Sequence, residues 1–198
     1  MATASNVAGF SLPTYDRQKL IELVCEHALR RGDFTLASGK KASFYLDCRC
    51  VTLHPQGAVQ IAAGMLDWLQ NTGFGEFPEA IGGMSIGADP VTTACVYLSG
   101  LQAIDLRGFM VRKEAKQHGM GKQVEGPVQS SMSCVIVEDV VTTGGSAIAA
   151  IEAVERAGLR VLGVMAVLDR LDGGQAALET RGYRLHSLLT LADLGLIA

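Results

Sequence analysis

The chain has 198 residues, of which 48% are hydrophobic and 19% are charged, and its formal net charge at pH 7 is −3. This length favours a single domain with a substantial core, and the hydrophobic content excludes a disordered chain. The small negative charge predicts no general attraction to nucleic acid or to an anionic membrane surface. The N-terminal segment lacks the regions of a secretory signal, and no apolar run is long enough to span a membrane.

The five cysteines are odd in number and irregularly spaced. Cys48 and Cys50 are two residues apart and would lie on opposite faces of a strand, which suits neither a zinc knuckle nor a redox pair. The irregular spacing is typical of reduced thiols that act as small hydrophobic residues, which favours a cytoplasmic protein.

The N-terminal part of the chain contains a predicted helix and an extended segment. Apolar side chains recur at helical spacing over residues 16–31, with Asp16 as the N-cap and Gly32 after the last turn. Residues 34–49 are predicted to form two short extended stretches around a Ser-Gly-Lys-Lys turn.

The rest of the chain alternates predicted strands and helices. The predicted strands cover residues 79–83, 108–112, 134–140, 161–170 and 183–190. The predicted helices cover residues 54–72, 89–100, 146–157 and 174–181. Because the strands are continuous apolar runs separated by helices, the pattern predicts a parallel sheet covered on both faces. We therefore predict an α/β, doubly wound fold over residues 74–190, with ligands bound at the carboxyl ends of the strands.

The segment from Val135 to Ser146 has the clearest functional pattern. An apolar strand ends in Glu138 and Asp139, and a loop of small residues then opens a helix. Backbone N–H groups in such a loop and the N-terminus of the following helix favour an anion. Since the loop has no lysine, we predict a site for one terminal phosphate, with two carboxylates nearby for sugar hydroxyls or a hydrated cation. The alternative is an ordinary strand–turn–helix connection with capping hydroxyls.

This segment resembles the phosphoribosyl-diphosphate (PRPP) binding motif of the type I phosphoribosyltransferases. Two other segments resemble orotate phosphoribosyltransferases. Residues 34–47 are similar to the N-terminal hood of that family, and residues 112–122 are similar to its mobile catalytic loop. The three matches lie in the same order as in the family and span residues 34–146.

The resemblance implies a fold, a reaction and partners. The implied fold is a single phosphoribosyltransferase domain over residues 1–198, with a hood from about residues 1–50 and a mainly parallel core from about residues 51–198. The implied reaction transfers the phosphoribosyl group of PRPP to orotate, giving orotidine 5′-monophosphate and diphosphate in de novo pyrimidine (UMP) biosynthesis. The implied cofactor is Mg²⁺, held mainly by PRPP. The implied assembly is a cytoplasmic homodimer with active sites shared between subunits.

Residues 112–122 concentrate positive charge on a glycine-containing segment. Cationic donors would stabilise the charge that develops on the departing diphosphate, and a closing loop would exclude water from an oxocarbenium-like centre. By resemblance, Arg112, Lys116 and His118 match residues that reach the neighbouring subunit's site. Lys113 matches a residue that acts in its own site. The alternative is a solvated, charged surface loop.

The two acids at the end of the predicted strand have distinct implied roles. Glu138 and Asp139 match the family pair that engages the ribosyl 2′- and 3′-hydroxyls, and Asp139 can also stabilise positive charge at the anomeric carbon. One of the two could instead be a helix-side cap or part of an ion pair. The implied catalytic residues are Lys116, His118 and Asp139. The implied PRPP-binding residues are Arg112, Lys113, Lys116, His118, Glu138, Asp139, Val140, Val141, Thr142, Thr143, Gly144, Gly145 and Ser146.

Orotate is flat and anionic, so its recognition requires a cation or N–H groups for the carboxylate and a flat apolar wall. The positions that match orotate-contacting residues are Phe44, Tyr45, Thr142 and Arg170. Phe44 and Tyr45 could instead belong only to the core, and Arg170 could form a surface ion pair with Asp169 or Asp172.

Residues 82–90 form the predicted diphosphate loop, because their glycines permit close backbone approach to a polyanion. One branch of the family has lysines where this chain has Ala37 and Ile86. Lys40 or Lys41 is a candidate replacement for the cation of the hood. A second branch, with Gly-Ala-Asp-Pro in this loop, is more similar to this chain.

Two other functions fit parts of the pattern. A purine-base transferase on the same core is opposed by the hood segment and by the sequence of the basic loop. A PRPP-sensing regulator without catalysis is opposed by the intact basic loop and by the lack of a DNA-binding region or basic face.

Overall fold

A computed structural model describes residues 11–35, 41–114 and 122–197 of the protein. The helices are α1 (Arg17–Leu23), α2 (Arg49–Thr52), α3 (Pro55–Asn71), α4 (Ala88–Leu101), α5 (Gly145–Arg156) and α6 (Gly174–Glu179), with a π-helical turn at Val24–Ala28 and a 3₁₀ turn at Ala192–Leu194. The strands are β1 (Leu29–Thr35), β2 (Lys41–Leu46), β3 (Ala80–Met84), β4 (Arg107–Val111), β5 (Val124–Glu125), β6 (Ser133–Val141), β7 (Arg160–Asp169) and β8 (Leu185–Thr190).

Strands β3 to β8 form one sheet in the order β5-β4-β3-β6-β7-β8. Neighbouring strands are parallel, except that β5 pairs antiparallel with β4. From β3 the chain passes to β4 on one side, whereas from β6 it passes to β7 on the other side. The carboxyl ends of β3 and β6 therefore lie at a topological switch point, where α/β sheets of this kind bind ligands.

The core lies in two layers on the two faces of this sheet. One layer packs α1, α3 and α4 against residues such as Val135 and Val137, and the other packs α5 and α6 against residues such as Cys134 and Ile136. Successive residues of β6 thus alternate between the two layers, as the pleat requires. The predicted doubly wound α/β fold with a mainly parallel sheet is confirmed.

The N-terminal region differs from the prediction. The helix expected to reach residue 31 ends at Ala28, and β1 begins at Leu29. Strand β1 pairs antiparallel with β2 in a separate two-stranded sheet, in which Leu29 lies opposite Leu46 and Arg31 opposite Phe44. The predicted helical continuation was wrong because pairing with β2 overrides the local helical spacing.

Strand β5 was not predicted, because two residues carry no periodic signal. Residues 113–126 were expected to be a polar connection, but Val124 and Glu125 pair with Val111 and Met110 of β4. The other strands and helices predicted over residues 54–190 start and end within two residues of the observed ones. Within the described ranges, no helix combines the length and apolar character that a bilayer crossing requires.

Candidate active site

Two loops meet at the switch point of the sheet. The β3–α4 loop consists of residues 85–87, and the β6–α5 loop consists of residues 142–144. Because α4 and α5 lie on opposite faces of the sheet, the two loops diverge and leave a crevice at the carboxyl ends of β3 and β6.

The β6–α5 loop lines a cavity of about 330 Å³, together with Glu138 and residues 140–147. Gly144 has a φ of 81°, a left-handed conformation that glycine adopts without strain. A Cβ atom on Gly145 would meet only the hydroxyl oxygen of Thr143, at 3.9 Å. Helix α5 begins at this cavity, and the first N–H groups of a helix have no partner within the helix. The arrangement therefore suits a phosphate group.

Glu138 is the buried acid of this cavity, with 5% of its surface exposed. The pKa of its carboxyl group is raised to about 8. Burial is the larger cause, and the negative charge of the nearby Asp139 is the smaller one. Its Oε1 atom is buried and has no hydrogen-bond partner in the described part of the chain. An unpartnered buried oxygen is costly, so its presence in a cavity indicates a contact that a hydroxyl-bearing ligand would complete.

Asp139 lies between the two loops. The N–H of Val140 donates to its Oδ1 over 2.8 Å. On the other side, a Cβ atom on Gly87 of the β3–α4 loop would lie 2.7 Å from the same oxygen. Burial raises the pKa of Asp139, and the hydrogen bond from Val140 opposes this rise. The two predicted acids are thus brought to one crevice, with Glu138 the more buried of the two.

A charged pair that was not predicted from the sequence adds to the electrostatics of Asp139. Arg49 donates from Nε to Asp47 Oδ1 over 2.8 Å and from Nη2 to Asp47 Oδ2 over 2.9 Å. Arg49 lowers and Asp47 raises the pKa of Asp139. The signal was an Asp-Cys-Arg sequence directly after the hood segment, where Asp47 and Arg49 flank Cys48.

Two glycines of the predicted diphosphate loop lie within the sheet, where the neighbouring strands leave no space for a side chain. Cβ atoms on Gly82 and Gly83 would lie 2.1 Å from the carbonyl oxygens of Phe109 and Val137, respectively. Both glycines are buried within β3 and allow its neighbours to approach closely. These two positions therefore need glycine for the packing of the sheet, and the approach of the loop's backbone to a polyanion stays a prediction. Ile86, at the tip of the β3–α4 loop, is 74% exposed.

The basic segment is described at its two ends. Arg112 follows β4, and its Nε donates to Glu125 Oε1 of β5 over 2.7 Å. Lys113 is exposed. The predicted catalytic residues Lys116 and His118 lie outside the described residues, as do Ala37 and Lys40 of the hood segment.

The two aromatic residues predicted beside the base have different surroundings. Phe44 is partly buried and packs against the core, which fits the alternative left open from the sequence. Tyr45 is 45% exposed, and its ring centroid lies 6.0 Å from that of Phe34. Neighbouring residues of a strand point to opposite faces, so the structure does not bring Phe44 and Tyr45 to one surface.

Arg170 follows β7 at the edge of the same crevice. Its backbone N–H donates to the carbonyl oxygen of Val141 over 2.9 Å. Its Nε lies 3.3 Å from Asp172 Oδ2 in an ion pair, although Nε lacks the geometry of a hydrogen bond. Thr142 begins the β6–α5 loop and lines the cavity, and the backbone of Arg170 adjoins the cavity through its hydrogen bond with Val141.

Comparison with known proteins agrees with the geometry. The phosphoribosyl transferase domain family matches residues 90–182. The orotate phosphoribosyltransferase of Rhodopirellula baltica is 55% identical over 183 residues, which cover 91% of this chain and 95% of that protein. The corresponding enzyme of Aquifex aeolicus is 39% identical, with coverage of 90% and 97%.

Solved structures extend the agreement to the fold. The crystal structure of Mycobacterium tuberculosis H37Rv orotate phosphoribosyltransferase in complex with PRPP has a TM-score of 0.77 at 36% identity, covering 90% of this chain and 98% of that one. The similarity in sequence covers almost the whole chain, and the same range shares one fold. The chain therefore belongs to the orotate phosphoribosyltransferases, a family of type I phosphoribosyltransferases and hence of pentosyltransferase enzymes.

Proposed function

We propose that the chain transfers the phosphoribosyl group of PRPP to orotate, giving orotidine 5′-monophosphate and diphosphate in de novo pyrimidine (UMP) biosynthesis. One observation carries the proposal: the β6–α5 cavity combines an anion-binding helix N-terminus with a buried oxygen of Glu138 that has no hydrogen-bond partner among the described residues. A phosphorylated sugar needs both, because its phosphate takes N–H donors and its hydroxyls donate to carboxyl oxygens. Relatives that are orotate phosphoribosyltransferases, and a structural neighbour in complex with PRPP, supply the substrate names.

The cavity suggests a division of roles for PRPP. The backbone and hydroxyl groups of residues 140–146 would bind the 5′-phosphate. Glu138 and Asp139 would accept hydrogen bonds from the ribosyl 2′- and 3′-hydroxyls. As the bond from the anomeric carbon to diphosphate breaks, its electron pair leaves with the diphosphate, and the carbon gains positive charge. The carboxylate of Asp139 would stabilise that charge.

We propose that orotate binds at the rim of the cavity. The guanidinium of Arg170 would exchange its ion pair with Asp172 for the orotate carboxylate, a charge-assisted contact. Thr142 would contact the same base. The exposed ring of Tyr45 is the better candidate for a wall beside orotate, since Phe44 is engaged in the core.

The diphosphate would be surrounded by cations of the basic segment. Arg112 and Lys113 begin this segment at the end of β4, and Lys116 and His118 follow in its sequence. We propose that Lys116 and His118 act in the neighbouring subunit's site.

Mg²⁺ is the proposed cofactor, held mainly by PRPP. Over the described residues, no group of three or more His, Cys, Asp or Glu side chains is placed to hold a metal ion. The carboxylate of Asp139 offers oxygen ligands of the kind that Mg²⁺ prefers, directly or through water. When bound, the ion would neutralise charge on the diphosphate.

We propose that the chain forms a homodimer, and an exposed apolar groove supports this. The groove has a volume of about 740 Å³ and lies between α3 and α4. Exposed apolar surfaces of this kind are typical of protein interfaces. Asp89, the second residue of α4, lines the groove and accepts a hydrogen bond from Ser85 of the β3–α4 loop, so a second copy there would adjoin the active site. The most exposed large apolar residues of the groove are Leu53, Val59, Tyr97 and Leu101.

The domain layout and the location of the protein are also proposals. Residues 1–198 would form one domain, in which β1 and β2 belong to the hood from about residues 1–50 and the core spans about residues 51–198. The five cysteines are free thiols, which fits a reducing cytoplasm.

The activity is tested by the loss of orotate absorbance on addition of PRPP and Mg²⁺. Adenine, hypoxanthine and uracil serve as control bases. We expect turnover when orotate is the base and none with the three control bases. PRPP binding without base-dependent release of diphosphate would instead indicate a regulator, and turnover with a purine would indicate a different transferase.

Shared sites are tested by mixing two inactive variants, Lys116→Ala and Asp139→Asn. Random exchange makes half of the dimers mixed, and each mixed dimer keeps one intact site of two. Activity should therefore recover to about a quarter of the parent's, if sites are independent. Mixed dimers verified by mass spectrometry that show no activity would contradict the shared site.

A further inference from the structure

Gly87, the last residue of the β3–α4 loop, lies directly against the carboxyl group of Asp139. A Cβ atom built on Gly87 would lie 2.7 Å from Oδ1, 3.0 Å from Cγ and 3.1 Å from Oδ2 of Asp139, and these are its three nearest neighbours. Real Cβ atoms essentially never approach another heavy atom to less than 3.0 Å. The space that a side chain at position 87 would need is therefore occupied by the carboxyl group.

The backbone of Gly87 does not itself require glycine. Its φ of −62° and ψ of −42° are right-handed helical values that any L-residue adopts. This separates Gly87 from Gly144, whose φ of 81° favours glycine whatever the surroundings. The contact with Asp139 is thus the feature of this position that excludes a side chain.

The β3–α4 loop is anchored on both sides of Gly87, so it cannot easily withdraw from Asp139. The N–H of Ser85 donates to the carbonyl oxygen of Val111 over 2.9 Å. The hydroxyl of Ser85 donates to Asp89 Oδ1 over 3.0 Å. Ala88, the next residue after Gly87, is fully buried.

The backbone of Asp139 is equally fixed, because its neighbours pair with β7. Glu138 lies opposite Ala166, and Val140 lies opposite Leu168. A clash at position 87 would therefore be relieved by rotation of the Asp139 side chain. That rotation would move Oδ1 away from the N–H of Val140, which holds it in the parent.

We propose that Gly87 is a positioning residue for Asp139, a role that rests on the proposed part of Asp139 in phosphoribosyl transfer. The Cα of Gly87, which carries no side chain, lies on one side of the carboxyl group of Asp139, and the N–H of Val140 lies on the other side. Together they direct the carboxylate into the crevice between the two loops. The glycine thus acts on the reaction through Asp139.

The test compares Gly87→Ala with Gly100→Ala, a change in the same helix region where a Cβ atom meets nothing within 4 Å. We expect Gly87→Ala to lower kcat at least tenfold, since a displaced carboxylate no longer stabilises the transition state. The KM for orotate should change less than twofold. Gly100→Ala should leave both constants unchanged.

A double-variant cycle shows whether Gly87 acts through Asp139. In an Asp139→Ala background the carboxyl group is gone, so adding Gly87→Ala should change neither residual activity nor the PRPP affinity measured by calorimetry by more than twofold. If Gly87→Ala alone unfolds the chain, the double variant should fold again, because the obstructing carboxyl group is absent. Parental kcat in Gly87→Ala, or a further loss in the double variant, would overturn the proposal. Full activity of Asp139→Ala alone would instead refute the proposed role of Asp139, while the assay of the parent tests the reaction itself.

Discussion

The two sides of the crevice use glycine for opposite purposes. At the start of α5, directly after the β6–α5 loop, a Cβ atom on Gly145 would meet almost nothing, and that open space belongs to the cavity. In β3 and the loop after it, Cβ atoms on Gly83 and Gly87 would strike the protein itself, at Val137 and Asp139. The glycine on the β6 side leaves space for a ligand. The glycines on the β3 side leave space for the neighbouring strand and for the carboxyl group of Asp139.

This difference separates two meanings of a glycine-rich connection at the end of a strand. Both connections lie at the same edge of the sheet and look alike in sequence. Only the neighbours of the missing side chain distinguish them. A substitution on the β3 side should therefore disturb stability or the position of an acid, whereas a substitution on the β6 side should disturb binding.

The largest expected effect is on stability, from Gly83→Ala. The new Cβ atom would lie 2.1 Å from the carbonyl oxygen of Val137 and 2.8 Å from the Cβ of Ala88. Since the nearer atom is backbone of the adjacent strand, relief requires β3 and β6 to separate, and we expect a loss of about 3 kcal/mol or more. Urea unfolding measures this, with Gly100→Ala as the control. Parental stability in Gly83→Ala would erase the distinction between the two sides.

The second effect is on binding, from Gly145→Val. The side chain would enter the cavity, so we expect PRPP affinity to fall about 100-fold, or about 2.7 kcal/mol, with little loss of stability. Calorimetric titration with PRPP and urea unfolding report the two quantities. Gly144→Val should also weaken PRPP binding, but its left-handed φ of 81° and the Gly174 carbonyl oxygen, 3.2 Å from its Cβ, add a cost to the fold. Unchanged PRPP affinity in both variants would refute the phosphate site.

The order of strands and helices could be predicted because it depends on local patterns. The apolar runs of β6 and β7 and the acids at the end of β6 are visible in the sequence. The contact of Gly87 with Asp139 joins residues far apart in the chain, and no local pattern encodes it. The strand at Leu29 was missed for the same reason, since its pairing with β2 is decided by a partner beyond the predicted helix.

The third prediction concerns pH and uses Glu138→Gln. The fold keeps the proton of Glu138 up to about pH 8, whereas the ordinary value in an unfolded chain is 4.5. Between pH 4.5 and pH 8 the folded state binds more protons than the unfolded state. The stabilisation that protonated Glu138 gives to the fold is therefore full below pH 4.5 and is lost as pH rises through about 8. At about 1.4 kcal/mol per pKa unit the full shift corresponds to at most about 5 kcal/mol.

Because the cavity admits water, we expect about half of that limit. The free energy of unfolding of Glu138→Gln should rise by about 2.5 kcal/mol relative to that of the parent between pH 4.5 and pH 8.5. Urea unfolding at several pH values measures the difference between the two proteins. Parallel stability curves would show that Glu138 is already ionised in the fold at neutral pH. A rise in the stability of Glu138→Gln would show that the β6 side of the crevice, which binds the ligand, contains a strongly buried acid.

The fourth prediction separates binding from stability at Arg170. Arg170→Ala should raise the KM for orotate much more than the KM for PRPP, by an amount that corresponds to about 2 kcal/mol for a charge-assisted contact. Its ion pair with Asp172 is partly exposed, so stability should fall by less than about 1 kcal/mol. Steady-state kinetics and urea unfolding measure both. An unchanged orotate KM would leave Arg170 only its structural ion pair.

The smallest expected effect comes from Thr143→Ala, which removes one neutral hydroxyl from the open side of the crevice. Thr143 is exposed, so the loss of its hydroxyl should hardly change stability. A neutral hydrogen bond contributes about 0.5–1.5 kcal/mol, and PRPP affinity should fall by no more than about tenfold. Thr143→Ser keeps the hydroxyl and should bind PRPP as the parent does. If Thr143→Ala instead weakened PRPP binding as much as Gly145→Val, the hydroxyls rather than the open backbone would hold the phosphate, and the glycines of this loop would lose the role that distinguishes them from those of β3.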